Sequence, residues 1–494
     1  MIPRFVFALG AVFVLAASLP ASCLFAPCLL AQDTRHVSEP FFPQLCTTLD
    51  AQLQTSGHSL LPPDEQKLDT ARIQRALDKC GKGRAVMLHV NETDNAFLSG
   101  PLDLRPDVTL IVGVGVTLFA SRDPALFAVS PGSCGIVTHS PPPQQQGPVV
   151  GDPGRPRGCK PLISVDHAPD SAIMGDGVID GRGGEKMLGS DYSWWDLAEQ
   201  ARPGGGQQVP RLIVANDSGN FTLYRITLKN SPNFHVVFNH ADGFTVWGLK
   251  IDTPQRLARN TDGVDPGNGA KNITITHSYI RAGDDDVAIK GGPGGATNIT
   301  ISHDHFYWGH GMSIGSETNG GVSKIRVFDL SLDGPDNGIR IKSNGSRGGL
   351  TEDVVYDDVC IRNSPNPITL DTAYSAAGTL QGDSLPTMRD ITLRNVRISG
   401  GGKITFNGYD PTHRISATLD GVQIVDQSSY TYQLSHADLT LGPGATNLQL
   451  PAAPDATSPD STGPDATKTD STVKGTPAEG DPASCGDKFV PFPQ

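Results

Sequence analysis

One pattern recurs eight times between Phe221 and Ile424, and it restricts the fold more than any other feature of the chain. Apolar residues stand mostly at positions 1, 3, 6 and 8, as in Phe221/Leu223/Ile226/Leu228 and Phe244/Val246/Leu249/Ile251. The pattern returns with a polar third member as Ile273/Ile275/Ser278/Ile280 and Ile299/Ile301/Asp304/Phe306. It continues as Ile325/Val327/Leu330/Leu332, Val354/Tyr356/Val359/Ile361, Ile391/Leu393/Val396/Ile398 and Ala417/Leu419/Val422/Ile424. The steps are 23, 29, 26, 26, 29, 37 and 26 residues. Alternation of period 2 marks strands, and a repeat of this length marks a solenoid. Leucine-rich repeats share the period, but their Leu-x-x-Leu-x-Leu signature is missing. The gap between positions 3 and 6 reads as a corner between two strands of one coil. The expected fold is therefore all-β, a right-handed parallel β-helix with an apolar interior and Gly or Asn at its corners. A β-sandwich would need the spacing to arise eight times by coincidence. Before the repeats, Asp69-Thr70 opens a short helical pattern with Ile73, Ala76 and Leu77 on one face, placed to plug the N-terminal end of the solenoid.

The ends of the chain read differently. In Met1–Ala31, Arg4 precedes the apolar run Phe5–Ala17, and small residues lead to Ala31-Gln32. This reads as a secretory signal cleaved at that point, and no second apolar stretch of about 18 residues follows. Residues 32–449 are the expected catalytic β-helix. Within them, Pro141–Arg157 and Gly204–Gln208 read as surface loop and exposed turn. Residues 450–484 form a low-complexity tail of Pro-Asp-Ala-Thr near-repeats, expected to be disordered. Residues 485–494 end in an apolar Phe-Val-Pro-Phe-Pro that can dock on the body. Six cysteines remain after Cys23 and Cys28, an even number that suits disulfides in an exported protein. Cys46–Cys80 and Cys134–Cys159 close short loops and are the expected bridges. Cys360, in a strand-like run, reads as a buried free thiol.

The chemistry concentrates between Asn260 and Lys342. There stand Asn260-Thr261-Asp262, Gly283-Asp284-Asp285-Asp286, Gly309-His310-Gly311 and Arg340-Ile341-Lys342. Taken singly, these motifs have plain readings: a solvated turn or calcium site for the acids, a turn histidine, an exposed strand edge. Their phase joins them. Asp284 and Asp285 precede Ile299 by 15 and 14 residues, His310 precedes Ile325 by 15, and Arg340 precedes Val354 by 14. Those groups are expected on equivalent strands of successive coils about 4.8 Å apart, with Asp262 one coil earlier. Glycoside hydrolysis needs one carboxylic acid to protonate the leaving oxygen and one carboxylate to activate water or attack. Crowded carboxylates keep one member protonated. Arg and Lys beside them suit a substrate that bears carboxylates. A net charge of 39 − 52 = −13 argues against nucleic acid as a partner, and Lys290, Arg340 and Lys342 supply a local basic cleft.

In order and spacing, these four motifs resemble the signatures of the polygalacturonases, glycoside hydrolase family 28. Ser193-Trp194-Trp195-Asp196-Leu197, Asn230-Ser231-Pro232-Asn233-Phe234-His235 and Ile314–Gly321 are similar to bacterial endo-acting members. The resemblance runs from about Ser38 to Asp410. It implies a parallel β-helix with an open cleft and hydrolysis of α-1,4-linked galacturonan (pectin backbone) with inversion. It further implies Asp284 as general acid, Asp262 and Asp285 as holders of the attacking water, and His310 as the group that tunes the acid. Arg340 and Lys342 would bind the galacturonate carboxylate, and Tyr374 would line the sugar subsite. No metal or organic cofactor is implied, and the enzyme is expected to be a secreted monomer free of the membrane. Exo action, a rhamnogalacturonan-cleaving relative, a pectate lyase and a non-catalytic polysaccharide-binding β-helix are the competing readings. The lyase reading is opposed by Gly-His-Gly. Asp286 departs from the family pattern. It would either raise the proton affinity of its neighbours or face the opposite side of the strand.

Overall fold

The computed structural model describes residues 32–57, 59–139, 158–202, 205–374, 382–450, 470–476, 478, 480 and 484–493. The expected signal Met1–Ala31, the loop Pro141–Arg157 and residues 451–469 of the tail lie outside them. The repeats stack in register. Phe221, Phe244, Ile273, Ile299, Ile325, Val354, Ile391 and Ala417 are successive partners along one parallel ladder. Every repeat position, including the polar Ser278 and Asp304, is at most 4% exposed. The chain is thus a right-handed parallel β-helix, with strands gathered into sheets of 20 and 11 members.

Position 5 of each repeat explains the corner. Arg225, Gly248, His277, His303, Asp329, Asp358, Asn395 and Gly421 all have φ between 49° and 81°. This is the left-handed region, which bends the strand while keeping positions 3 and 6 pointed inward. Only three of the eight are the expected Gly or Asn, so stacking on the coils above and below outweighs local preference. Trp247 stacks on His277 there at 4.7 Å, and His277 packs against the tilted His303 ring at 5.0 Å. The two polar third members belong to adjacent coils, and the backbone N–H of Ser278 donates to Asp304 Oδ1 at 2.7 Å.

A helix spans Thr70–Lys79 and buries Ile73 and Leu77 against the core. Both expected local disulfides are present, Cys46–Cys80 and Cys134–Cys159. Three expectations are corrected. Cys360 is not a free thiol but bridges Cys485, 125 residues away. Lys488 next to it pairs with Asp358 at 2.6 Å and with Asp329, and Phe492 lies against Tyr307 and Arg281. The apolar end is therefore docked. Gly205–Gln208 is not an exposed turn but a strand, antiparallel to Ile136–His139. Thr472–Lys474, inside the expected disordered tail, pairs in parallel with Ala437–Leu441 and covers that strand's open edge. No helix among the described residues is long and apolar enough to cross a membrane.

Candidate active site

The 11-stranded sheet carries the site. Val236, Val264, Val287, Met312, Ile339 and Ile368 are successive partners in it, each fully buried. Strand residues one position on point to the opposite face, where they form the cleft wall. Asp262, Asp285 and His310 each stand two residues before a member of this ladder, Val264, Val287 and Met312. The acids and the histidine thus lie in the turns that lead into the strands, while Arg340 and Lys342 lie on the strand Asn337–Lys342. The backbone locks the turns together: Gly263 N donates to Asp285 O at 2.9 Å, and His310 N to Asp284 O at 2.8 Å. The glycines flanking His310 are required by close approach. A Cβ on Gly311 would stand 1.9 Å from Asn337 O, and one on Gly309 2.7 Å from Asp286 Oδ1.

All six residues expected at the reaction centre meet there. His310 Nδ1 lies 2.9 Å from Asp284 Oδ1, and Asp284 Oδ2 accepts from Asn260 N at 3.3 Å. Asp285 accepts from Lys342 Nζ at 2.6 Å, Ser313 Oγ at 2.7 Å and Arg340 Nη1 at 3.2 Å. Reactive atoms of Asp284, Asp285 and His310 all fall within 4.8 Å of one another. Asp262 pairs with Lys290 at 2.8 Å, and Lys290 reaches Asp265 at 3.1 Å. The Tyr374 ring centroid is 5.2 Å from both the Arg340 guanidinium and the Lys342 ammonium, so the seventh expected residue borders the cationic pair.

Comparison with known proteins places this arrangement. Residues 152–440 match the family described as glycosyl hydrolases family 28. An endo-polygalacturonase of Pectobacterium carotovorum subsp. carotovorum is 41% identical over 420 residues, covering 84% of this chain and 96% of the relative. The chain belongs to glycosyl hydrolases family 28. A polygalacturonase of Ralstonia nicotianae is 37% identical over 464 residues, 83% of this chain and 84% of its own. Among solved structures, the polygalacturonase from Erwinia carotovora ssp. carotovora superposes with a TM-score of 0.72 at 40% identity, covering 82% of this chain and 99% of its own. The exopolygalacturonase from Thermotoga maritima, at 20% identity and TM-score 0.64, covering 82% and 93%, shares the fold.

In this family 28 hydrolase the carboxylates sit in opposed electrostatic settings. Burial alone would raise Asp284, but the His310 charge and hydrogen bond outweigh it and hold Asp284 below the usual carboxylate range. Burial likewise opposes ionisation of Asp285, and Lys342 and Arg340 overcome it. Among the crowded acids the raised proton affinity falls on Asp262 and not on this pair, because Asp284 and Asp285 each have their own cation. His310 is pushed up to about 10, its burial outweighed by Asp284. At the other end one ammonium serves two buried carboxylates. Burial raises Asp262 well above the usual range and lifts Asp265 to about 6.

Asp286 faces the protein interior. It is fully buried and accepts from Ala282 N and Gly311 N, both at 3.2 Å, so it holds the turns together and stays clear of the cleft. His235, also fully buried, braces Asp262 from behind. Its Nδ1 lies 3.0 Å from Asp262 O, and burial pushes it down to about 4, which keeps it neutral. Sequence reading left Asp265, Ser313 and Asp336 out of the site and gave Lys290 only a general basic role. The signal for Asp265, Lys290 and Ser313 was the strand alternation itself, which turns them to the same face as Arg340 and Lys342.

Proposed function

We propose that this hydrolase is an exported, endo-acting polygalacturonase that cleaves α-1,4-galacturonosyl bonds with inversion. Pectin-backbone hydrolysis is the activity of the chain, and the residue roles are as follows. The observation that carries them is the crowding of Asp284, Asp285 and His310 within 4.8 Å, with Arg340 and Lys342 entering from the strand that pairs with the one after His310. Arg340 and Lys342 hold the galacturonate carboxylate, and Tyr374 supports the sugar beside them. That carboxylate adds negative charge next to Asp284 and raises its proton affinity. The proton on His310 Nδ1 then passes to Asp284, which delivers it to the glycosidic oxygen as the C1–O bond breaks. Water attacks C1 from the opposite face and loses its proton to Asp262, with Asp285 orienting it. Asp262 suits this step. Its raised proton affinity favours acceptance, and its buried Oδ1 has no hydrogen-bond partner among the described residues. Three disulfides fit an oxidising compartment outside the cytosol.

The test incubates the purified protein with polygalacturonate and a chelator. It follows viscosity, reducing ends and the ultraviolet absorbance of unsaturated products together. A fast fall in viscosity, with new reducing ends and no rise in absorbance, is the expected result. Reducing ends at nearly constant viscosity would replace endo by exo action, and a rise in absorbance would mean elimination.

A further inference from the structure

We infer that Asp336 is a positioning residue for the acid step, holding the His310 ring from the coil opposite Asp284. The inference rests on the proposed function, because it concerns the same proton. Asp284 stands three residues before Val287 and Asp336 three before Ile339, and Val287, Met312 and Ile339 are successive register partners. The two carboxylates therefore occupy the same phase two coils apart and flank the coil that bears His310. His310 Nδ1 lies 2.9 Å from Asp284 Oδ1, and Nε2 lies 3.5 Å from Asp336 Oδ2. An imidazole with an acceptor at each nitrogen satisfies both only when both N–H groups are present.

Asp336 is itself held in place. Its N–H donates to Gly309 O at 2.7 Å, Gln255 Nε2 donates to its Oδ1 at 3.2 Å, and Asn366 Nδ2 donates to its carbonyl at 3.0 Å. Of the two flanking carboxylates it is the one open to solvent, with 52% of the side chain exposed against 18% for Asp284. The other carboxyl groups around the ring are Asp285 and Asp286 on the Asp284 coil, and burial raises the proton affinity of Asp286. Lys342 acts on Asp284, while Arg256 and Arg340 act on Asp336. Arg340 and Lys342 favour loss of the His310 proton, and Asp336 offsets them from the solvent side. Asp336 does not touch the reacting atoms. It keeps the ring charged and aimed at Asp284.

The experiment compares the full-length wild type with Asp336→Asn and Asp336→Glu. The readouts are the His310 midpoint, by NMR of the ¹⁵N-labelled imidazole, and the alkaline limb of kcat/KM on polygalacturonate, which reports the free enzyme. In Asp336→Asn the His310 midpoint, which Asp284 holds above the ordinary histidine value, should fall by roughly half a pH unit, the scale of a half-exposed ion pair. The alkaline limb should fall with it, KM in mildly acidic buffer should stay unchanged, and Asp336→Glu should restore both. A purely structural role would change stability and leave the midpoint where it is, and an unmoved midpoint overturns the inference. A midpoint that moves in a protein without activity on polygalacturonate supports the coupling and overturns the proposed function instead.

Discussion

The two ends of the site use the same side chain for opposite purposes. At one end, Asp284 and Asp285 face three cations, His310, Arg340 and Lys342. At the other, Asp262 and Asp265 share one ion-pair partner, Lys290, with the Arg211 charge acting on Asp265. All four carboxylates are largely withdrawn from water, so burial does not separate them. The number of cations per carboxylate does. The first end holds its acids ionised and has positive charge to spare for an incoming galacturonate. The second holds both acids at raised proton affinity, ready to take up a proton. An inverting hydrolysis needs this asymmetry, since one side must give a proton while the other receives one.

The largest effect should come from removing the proton donor. Asp284→Asn should lower kcat by about 10²- to 10⁴-fold, the range for a positioned general acid, with KM nearly unchanged. Steady-state kinetics on polygalacturonate reads this directly. A rise in KM alone would mean that Asp284 binds rather than reacts. Next comes the single cation of the other end. Lys290→Met leaves two buried carboxylates without their ion-pair partner and should cost about 3–5 kcal/mol of stability at neutral pH. The sign with pH follows from the raised proton affinities of Asp262 and Asp265. Folding of the variant favours their protonated forms, so the deficit should be smallest near the ordinary carboxylate value and grow as pH rises through about 6. Urea midpoints at pH 4.5 and 7 test this, and an equal deficit at both would break the contrast between the two ends.

Smaller effects sharpen it. Lys342→Met removes one of the two cations on Asp285 and one hold on the substrate carboxylate. It should raise KM by about 10- to 100-fold, the scale of a hydrogen bond to a charged group. Asp286→Asn should be the mildest, with kcat changed by less than about tenfold, since Asp286 accepts two backbone N–H groups and faces away from the cleft. A larger loss would show that its carboxyl group acts on the reacting acids.

The coil architecture was legible because a β-helix repeats its own environment. Each of the eight patterns lands on the same ladder, and the phase that ties Asp262 to Asp285 and His310 is a count of residues along the chain. The corner residues were less legible, because a left-handed conformation at His277 or Asp329 depends on the coil stacked upon it. Cys360–Cys485 lay beyond reach for a related reason. A span of 125 residues through a low-complexity tail carries no local signal, and the bridge depends on where the chain end docks. Charge states were the least legible. The motifs named the acids, but His310 holds Asp284 ionised, while burial that Lys290 does not offset raises the proton affinity of Asp262, and these groups converge only in three dimensions. Asp336 stayed hidden for the same reason, as a turn residue whose partner sits one coil away.

The most direct test of this asymmetry is a neutron diffraction structure of the free enzyme in deuterated buffer near neutral pH. The account predicts deuterium on both nitrogens of His310, none on Asp284, and one deuteron held on Asp262 or Asp265 beside a fully charged Lys290. Deuterium on Asp284 beside a singly protonated His310, with Asp262 and Asp265 both bare, would contradict it.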